Sequence, residues 1–283
     1  GLPYILQFRG KIIVVKYGGN AMQSKELQEA FCRDIVMMKS VGLNPIIVHG
    51  GGPQISKAIE QAGLQSSFVQ GLRITDRQTM DIVERVVIDE INHDLVQMIS
   101  DQGWPAFGLG AGLKGGLIRA RKLSLTVVDP ESLMPVDFGF VGEVENVVTE
   151  KLGLDSVDSE IPVIAPIGID GSGQSYNINA DTVAGAVAEA VQAEKLVILT
   201  NMPGILDQQG QLISYLTTDE LDSLARNQII SDGMLPKVRC AQHALEGGVH
   251  TVQIIDGRIP HSALLEIFTD KGVGTLIANS HSD

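Results

Sequence analysis

The stretch "KIIVVKYGGN" (residues 11–20) decides the fold, because an apolar run ends there in a lysine and a pair of glycines. The run is short and rich in β-branched residues, so it predicts a buried β-strand. Lys16 ends this strand, and Gly18 and Gly19 follow with backbone that a ligand can approach closely. Ligands of open α/β sheets bind at the carboxyl ends of strands. The stretch therefore predicts half of a cradle for phosphate.

A second glycine turn follows the next predicted strand, in "PIIVHGGGP" (residues 45–53). The backbone N–H groups of such a turn, with a helix N-terminus behind them, favour an anionic ligand. Pro53 suits the first turn of a helix, and His49 is interpreted as a hydrogen-bonded turn residue. Either turn alone could serve only tight strand–helix packing, but turns on successive strands indicate a shared site. A Walker loop is absent, and no G-x-G-x-x-G follows the first strand.

Strand and helix patterns alternate along the chain, which predicts a mostly parallel sheet with helices on both faces. An amphipathic helix should begin near Ser24. Further strands are predicted at 104–109, 161–169, 195–200, 251–256 and 274–279, and further helices at 53–62, 75–101, 180–193, 218–227, 234–245 and 262–268. Residues 108–148 are glycine-rich with short alternating runs and predict hairpins at one edge of the sheet, as a wall or lid. The expected fold is α/β, a three-layer αβα sandwich whose lobes share one sheet.

Composition excludes several classes of function. The formal net charge is −13 over 283 residues, so the chain lacks the basic face that nucleic-acid binding needs. No apolar run approaches the roughly 20 residues of a membrane span, and no signal peptide is visible. Cys32 and Cys240 lie far apart, which favours reduced thiols and a cytoplasmic location. No Cys/His cluster has metal-ligand spacing, and no Ser/His/Asp order or nucleophile elbow occurs, so neither a protein metal site nor a hydrolase triad is predicted.

Cations occur at positions where an anion would explain them. Arg73, in "GLRITD", precedes the long helix, and a guanidinium there could grip a carboxylate through paired hydrogen bonds. Lys237, in "SDGMLPK", opens a helix, where the helix dipole disfavours a cation. A surface arginine and a solvated lysine are the alternatives for these positions. Lys16 differs from them, because surface lysines rarely follow a run of β-branched residues directly.

Polar segments follow later strands. In "YNINAD" (residues 176–181), Asn177 and Asn179 alternate in an extended stretch and should face the same side, with Asp181 at or near a helix cap. This pattern favours an amide-lined pocket, although Asp181 alone would be read as a capping residue. In "LVILTNMPGILD" (residues 196–207), an apolar strand ends in Thr200 and Asn201 before a Pro-Gly turn. That segment indicates either a simple β-turn or the rim of a nucleotide pocket.

Together these segments resemble the N-acetyl-L-glutamate kinases of the amino-acid kinase superfamily. The motifs occur in order across nearly the whole chain: "KYGGNAM", "VHGGGPQI", "GLRITDRQTM", "GFVGEV", "YNINADTVAG", "LTNMPGILD" and "GMLPKVRC". The resemblance implies an enzyme that uses ATP with Mg²⁺ to phosphorylate the γ-carboxylate of N-acetyl-L-glutamate in arginine biosynthesis. The alternatives are a kinase of another small carboxylate or carbamate, and a catalytically silent protein that senses arginine.

The resemblance also implies roles for individual residues. Lys16 and Lys237 would stabilise the transition state, and Asp181 would hold both lysines. The acetylglutamate-binding residues would be Gly51, Gly52, Arg73, Asn177 and Asn179. The phosphate- and nucleotide-binding residues would be Gly18, Gly19, Thr200, Asn201, Gly204, Leu206, Ile229 and Ser231. Residues 1–192 would form the lobe for acetylglutamate and dimerisation, and residues 193–283 the lobe for the nucleotide.

The C-terminal stretch "HSALLEIFTDKGVGT" (residues 261–275) resembles the arginine-sensitive branch of the family. This implies inhibition by arginine bound beside Glu266 and the backbone near Gly272. It also implies a homodimer or a homohexamer, since that branch assembles hexamers through an N-terminal helix, whose tail "LPYILQFRGK" resembles. Gln253 stands where several bacterial relatives carry His, and "GLGAGLKGG" (residues 108–116) departs from the usual hairpin.

Overall fold

The computed structural model describes residues 1–110, 116–269 and 273–281. The strands are β1 (Ile12–Tyr17), β2 (Asn44–His49), β3 (Phe68–Val69), β4 (Leu72–Arg73), β5 (Ala106–Leu109), β6 (Ile118–Lys122), β7 (Gly142–Val147), β8 (Ile161–Ile164), β9 (Ile167–Ile169), β10 (Ser175–Asn177), β11 (Lys195–Thr200), β12 (Tyr215–Thr217), β13 (Thr251–Asp256) and β14 (Gly274–Ala278). The α-helices are α1 (Leu2–Phe8), α2 (Lys25–Ser40), α3 (Gly52–Gln61), α4 (Arg77–Glu84), α5 (His93–Asp101), α6 (Ala180–Ala190), α7 (Thr218–Arg226), α8 (Leu235–Glu246) and α9 (Ser262–Phe268).

The central sheet has eight strands in the order β12-β14-β13-β11-β1-β2-β8-β5. Its strands from β13 to β5 run parallel, whereas β14 is antiparallel to β13 and β12 runs parallel to β14. The prediction of a mostly parallel sheet is therefore confirmed. The carboxyl ends of β1, β2 and β11 lie side by side, which places the chain that follows each of them at one edge of the molecule.

Alternation along β1 explains the layers of the fold. Val14 packs into one core cluster with residues of α6 and α8, whereas Ile13 and Val15 pack into another with residues of α2, α5 and α9. Successive side chains of a strand point to opposite faces, so a strand that is apolar throughout requires cover on both sides. The result is the expected sandwich of helices, sheet and helices.

The predicted helix starts are mostly confirmed. Ser24 caps α2, since its Oγ accepts a hydrogen bond from the Leu27 N–H group. The helix predicted at 75–101 begins at Arg77 with Asp76 as its cap, because Thr75 pairs with the strand-like residue Gly139. Its middle, Arg85–Asn92, is a π-helix between α4 and α5, which periodicity alone does not distinguish from an α-helix.

Two strand predictions were wrong in detail. The apolar run 161–169 is not one strand, because β8 lies in the central sheet and β9 in a separate four-stranded sheet of order β10-β9-β6-β7. The hairpin predicted within 108–148 forms as β6 and β7, but it belongs to that second sheet rather than to an edge of the central one. The unusual segment 108–116 lies partly outside the described residues.

The lobes expected at 1–192 and 193–283 are joined through the middle of the sheet. β1 pairs with β11 along its length, and one core cluster contains both Val14 and Val252. The lobe boundary itself stays a prediction. Across the described parts of the chain, none of the helices has the length and apolar character needed to span a membrane.

Candidate active site

A cavity of about 260 Å³ opens at the carboxyl ends of β1 and β2. Its lining includes both glycine turns, the cations Lys16 and Arg73, and the segment Asn177–Asp181. These residues come from distant parts of the chain, and the parallel strands bring their ends to the same edge. The cavity has the size and mixed polarity of a site for a small polar molecule.

Lys16 and Lys237 meet at Asp181. The Lys16 Nζ atom lies 3.3 Å from Asp181 Oδ1, as an ion pair without good hydrogen-bond alignment. The Lys237 Nζ atom donates a hydrogen bond of 2.9 Å to Asp181 Oδ2. With Lys237 charged, the three groups carry one net positive charge in a largely buried position, which favours an anion beside them.

Burial and charge act against each other at this triad. Burial, the largest effect, lowers the pKa of Lys16, and Lys237 lowers it further, whereas Asp181 raises it. Burial raises the pKa of Asp181, but Lys16 and Lys237 together outweigh burial, so the pKa lies below its ordinary value. Asp181 therefore stays ionised near neutral pH and offsets the repulsion between the ammonium groups.

The first glycine turn lies directly against the Lys16 side chain. A Cβ atom on Gly18 would lie 2.8 Å from Lys16 Nζ, so a larger residue would displace the ammonium group. Asn201, at the end of β11, accepts a hydrogen bond of 2.8 Å from the Asn20 N–H group through Oδ1. The side chain of Asn201 thus holds the turn that carries Gly18 and Gly19.

Arg73 is buried at the other end of the cavity. Its Nη1 atom donates to Ser66 Oγ at 2.8 Å, and its Nη2 atom donates to Ser56 Oγ at 3.0 Å and to Gly52 O at 3.1 Å. The guanidinium also lies 4.5 Å from the centre of the Phe68 ring. Burial lowers its pKa from the ordinary value. Within the described residues no carboxylate forms an ion pair with Arg73, so this cation can receive a ligand carboxylate.

Asn177 and Asn179 both line the cavity but serve different purposes. Asn177, at the end of β10, donates a weak hydrogen bond of 3.4 Å through Nδ2 to Thr75 Oγ1, whose hydroxyl donates to Arg73 O. Asn179 is the N-cap of α6, since its Oδ1 accepts from the N–H groups of Asp181 and Thr182. The capping role expected near Asp181 therefore falls on Asn179, which frees the Asp181 carboxylate for the lysines.

The segments predicted to bind a nucleotide lie along β11 and beyond it. Thr200 is buried at the end of β11. Ile205, between Gly204 and Leu206, donates its N–H to Thr275 Oγ1 at 2.9 Å, and Leu206 forms an isolated bridge with Leu212. Ile229 and Ser231 lie in the turn between α7 and α8. In the described part of the chain, none of these residues lines the cavity around Lys16 and Arg73.

The segment predicted to bind arginine packs between α9, β13 and β14. Glu266 accepts hydrogen bonds from Gln253 Nε2 at 2.6 Å and from the Val273 N–H group at 2.7 Å. Gln253 Oε1 is buried and has no partner among the described residues. Nearby, Lys195 Nζ lies 5.2 Å from the Phe8 ring of α1. Gly272 lies outside the described residues.

Sequence reasoning missed several residues that support the site. Thr75, Ser56 and Ser66 orient Arg73 and Asn177, yet serine and threonine are too common in turns to signal a site on their own. Thr75 is two residues from Arg73, which places both on one face of an extended chain. That spacing is the signal that could have identified Thr75.

Comparisons with known proteins agree on one family. The model of the "Amino acid kinase family" matches residues 11–256. An acetylglutamate kinase of Stutzerimonas stutzeri (strain A1501) is 54% identical over 281 residues, covering 99% of this chain and 93% of that protein. An acetylglutamate kinase of Alcanivorax borkumensis is 53% identical over 282 residues, covering 98% of this chain and 94% of that protein.

A solved structure extends the comparison. The N-acetylglutamate synthase of Neisseria gonorrhoeae, solved with coenzyme A and N-acetyl-glutamate, superposes with a TM-score of 0.85 at 26% identity over 99% of this chain. The same synthase with coenzyme A and L-arginine gives a TM-score of 0.81 at 27% identity over 98% of this chain. This chain spans only 62% and 63% of the synthase chains in the respective structures.

Proposed function

The chain belongs to the amino acid kinase family, and from that premise we propose that it phosphorylates the γ-carboxylate of N-acetyl-L-glutamate with ATP. The product is an acyl phosphate, N-acetyl-L-glutamyl 5-phosphate, on the route to arginine. The observation that carries this conclusion is the nearly full-length match, at 53% and 54% identity, to two acetylglutamate kinases. The geometry of the cavity supports this activity both around Arg73 and around Lys16.

The Arg73 end of the cavity suits the acceptor substrate. A buried guanidinium without an ionic partner in the described chain would bind the α-carboxylate of acetylglutamate. Asn177 donates its amide N–H to Thr75, which leaves Oδ1 to accept a hydrogen bond from the substrate. Gly51 and Gly52 would contribute backbone N–H groups, and Asn179 would support the site as a helix cap.

The Lys16 end of the cavity suits phosphoryl transfer. A carboxylate is already a nucleophile, so no general base is needed, and the reaction instead requires positive charge and aimed N–H groups. Lys16 would neutralise negative charge on the phosphoryl group during its transfer, and Lys237 would neutralise the charge on the leaving phosphate of ADP. Asp181 would hold both lysines, while Gly18 and Gly19 would donate backbone N–H groups to the phosphates. The net positive charge of the triad supports these roles.

We propose that the nucleotide lies beyond the triad, along the carboxyl end of β11. Its pocket would be lined by Thr200, Asn201, Gly204, Leu206, Ile229 and Ser231. Mg²⁺ would be held by the ATP phosphates and water rather than by the protein, because Asp181, the one carboxylate in the described cavity lining, has each oxygen against a lysine. The ion would neutralise phosphate charge.

Arginine is the inhibitor that the C-terminal segment supports. Glu266 is an acid held by Gln253 and by the Val273 N–H group, and it could pair with an arginine guanidinium. The backbone near Gly272 would complete the site. The solved synthase complex with L-arginine supports arginine recognition by a protein of this fold.

Assembly and location complete the proposal. A homodimer, or a homohexamer built through the N-terminal helix, is supported by α1, which exposes Leu2 and Leu6 to solvent. A cytoplasmic location is supported by Cys32 and Cys240, which are both free thiols.

A coupled assay of ADP release tests the proposed activity. N-acetylglutamate should support turnover, whereas aspartate, carbamate and UMP should not, and adding arginine should reduce the rate. Turnover with carbamate or another carboxylate alone would favour the alternative kinase. Arginine binding without any turnover would favour the silent sensor.

A pair of variants tests the mechanism in the same assay. Lys16→Arg should lower kcat by about 10²–10³-fold, because a planar guanidinium cannot reproduce the ammonium contact with Asp181 and the phosphoryl group. Lys11→Arg makes the same change at an exposed lysine before β1 and should leave kcat unchanged. Equal activity of the two variants would remove Lys16 from the mechanism.

A further inference from the structure

His49 is buried directly behind the second glycine turn and has no role in the reaction proposed above. It ends β2, and its exposed fraction is 0%. Both nitrogens of its ring are engaged, with Nδ1 2.9 Å from Gly50 O and Nε2 3.1 Å from Asn92 Nδ2. Asn92 is also buried, at the end of the π-helix Arg85–Asn92.

The partners of these groups fix the direction of each hydrogen bond. A carbonyl oxygen only accepts, so His49 Nδ1 carries the proton and donates to Gly50 O. Asn92 Nδ2 donates 3.0 Å to Val163 O, which identifies it as the amide nitrogen and as the donor to His49 Nε2. Burial lowers the pKa of His49 to about 4, which keeps the ring neutral near pH 7 and preserves this pattern.

This arrangement fixes the peptide plane between Gly50 and Gly51. The C=O and N–H groups of a trans peptide point in opposite directions, and the described residues contain no cis peptide. Since Gly50 O points to His49, the Gly51 N–H points away from the ring, and Gly50, Gly51 and Gly52 all line the cavity. The Gly50 N–H is also held, by a 2.8 Å hydrogen bond to Tyr17 O at the end of β1.

The π-helix contacts both His49 and the glycine turn. A Cβ atom on Gly51 would lie 2.8 Å from Ile91 Cδ1 and 3.1 Å from Val87 Cγ1, so the helix packs closely against the glycine backbone. π-Helical segments are rare and often occur at functional sites. Here the segment brings Val87, Ile91 and Asn92 against one turn, and Val87 also lines the cavity.

We propose that His49 and Asn92 are positioning residues, which aim the Gly51 N–H group at the reacting end of the acceptor substrate. Asn92 orients the His49 ring, the ring holds Gly50 O, and the peptide plane then presents the Gly51 N–H to the cavity. This inference rests on the proposed acetylglutamate kinase activity. We call the chain of hydrogen bonds from Asn92 through His49 to Gly50 O the relay. Substitutions that break the relay should lower kcat/KM for acetylglutamate and leave the KM for ATP nearly unchanged.

Three substitutions test the relay in steady-state kinetics with the full-length protein. Asparagine at position 49 can place a donor near the Nδ1 position and so keep the bond to Gly50, whereas glutamine reaches the Nε2 position and keeps only the contact with Asn92. His49→Gln and Asn92→Ser should lower kcat/KM for acetylglutamate by about tenfold or more, the order expected for a lost hydrogen bond. His49→Asn should lie closer to the wild type. The KM for ATP should change by less than about twofold.

A stability-matched control separates positioning from folding. Ile35→Val shortens a buried side chain of α2 that does not line the cavity. It should lower the melting temperature without changing either KM. Isothermal titration should show weaker binding of acetylglutamate to His49→Gln, and the wild-type protein in the same assays tests the proposed activity separately.

Two results would overturn the inference. In the first, the wild type phosphorylates acetylglutamate, but the kcat/KM values of His49→Gln and Asn92→Ser differ from the wild-type value no more than that of Ile35→Val does. In the second, His49→Asn is more impaired than His49→Gln, which would mean that the hydrogen bond to Gly50 O does not position the turn. If the His49 variants fail to fold, an unchanged kcat/KM in Asn92→Ser alone would be decisive.

Discussion

At the scale of the residue, the site is a balance between burial and charge. Lys16 and Lys237 lie close together in a position that water hardly reaches, and Asp181 is the group that makes this arrangement tolerable. Removing one partner of a buried ion pair typically costs about 3–5 kcal/mol, since an uncompensated charge remains. A phosphate group would meet the remaining positive charge, so the same balance that stabilises the fold prepares the site for an anion.

His49 allows a prediction about stability and pH. Its pKa in the folded protein is about 4, whereas an unfolded histidine titrates near 6.5, so between these values only the unfolded chain binds the proton. The stability that depends on the neutral ring is therefore complete above pH 6.5 and is lost as the pH falls towards 4. The difference between these two pKa values corresponds to about 3 kcal/mol of unfolding free energy, because each pKa unit is worth about 1.4 kcal/mol.

Urea unfolding of the wild type and His49→Asn between pH 7 and pH 4 measures this contribution. The free energy of unfolding should fall more steeply with acidification in the wild type than in the variant. The difference in slope should correspond to at most one extra proton bound by the unfolded chain. Other titrating groups are common to both proteins and cancel in the comparison. Parallel curves would show that His49 does not carry the proton linkage.

At the scale of the element, the loop between β11 and β12 is held by one side chain of β14. Thr275 is fully buried, and its hydroxyl accepts from the Ile205 N–H group and donates 2.7 Å to Ile213 O. It thus joins both sides of the loop that carries Gly204 and Leu206. The hydroxyl also fills the space beside Gly204, where a Cβ atom would lie 2.7 Å from Thr275 Oγ1.

Replacing Thr275 by valine should therefore affect ATP more than acetylglutamate. The change keeps the shape but leaves two buried backbone groups without a partner, at a cost of about 1–3 kcal/mol each. Thr275→Val should raise the KM for ATP by about tenfold and leave the KM for acetylglutamate nearly unchanged. Thr275→Ser retains the hydroxyl and should restore the KM for ATP. A KM for ATP that is equal in all three proteins would contradict this role.

At the scale of the whole molecule, the segments predicted to form two lobes, residues 1–192 and 193–283, share a sheet and a core. β11 belongs to the C-terminal segment, yet it pairs with β1 of the N-terminal segment on one side and with β13 on the other. The larger core cluster contains Val14 from the first segment and Ile254 from the second. Cooperative unfolding follows when the same side chains stabilise both halves.

A core substitution in the C-terminal segment should therefore also destabilise the N-terminal segment. Ile254→Ala removes a fully buried side chain and should lower the free energy of unfolding by about 2–5 kcal/mol. The fluorescence of Trp104, the single tryptophan, reports on the N-terminal segment, and far-UV circular dichroism reports on the whole chain. Both transitions in urea should move together. Leu133→Ala, at an exposed position, should move neither, and a separate early step seen only by circular dichroism would contradict the shared core.

The sequence by itself determined the fold class, the order of most strands and helices, and the glycine turns after β1 and β2. These features follow from local periodicity and from residues such as Pro53 and Ser24, whose preferences act within one turn of chain. Local signals did not distinguish the π-helix Arg85–Asn92 from an α-helix. They also did not divide residues 161–169 between two sheets, because both outcomes depend on what packs against the segment.

Only the tertiary structure decided how distant side chains meet. Their own segments offered Lys16, Lys237 and Asp181 as separate candidates, and the family resemblance alone implied that Asp181 holds both lysines. The packing of α6 and α8 beside β1 places each ammonium group within 3.3 Å of the Asp181 carboxylate. It likewise gave the helix cap to Asn179 and placed Asn92 behind His49. Such contacts depend on the geometry between elements, which a pattern of residues along one chain does not contain.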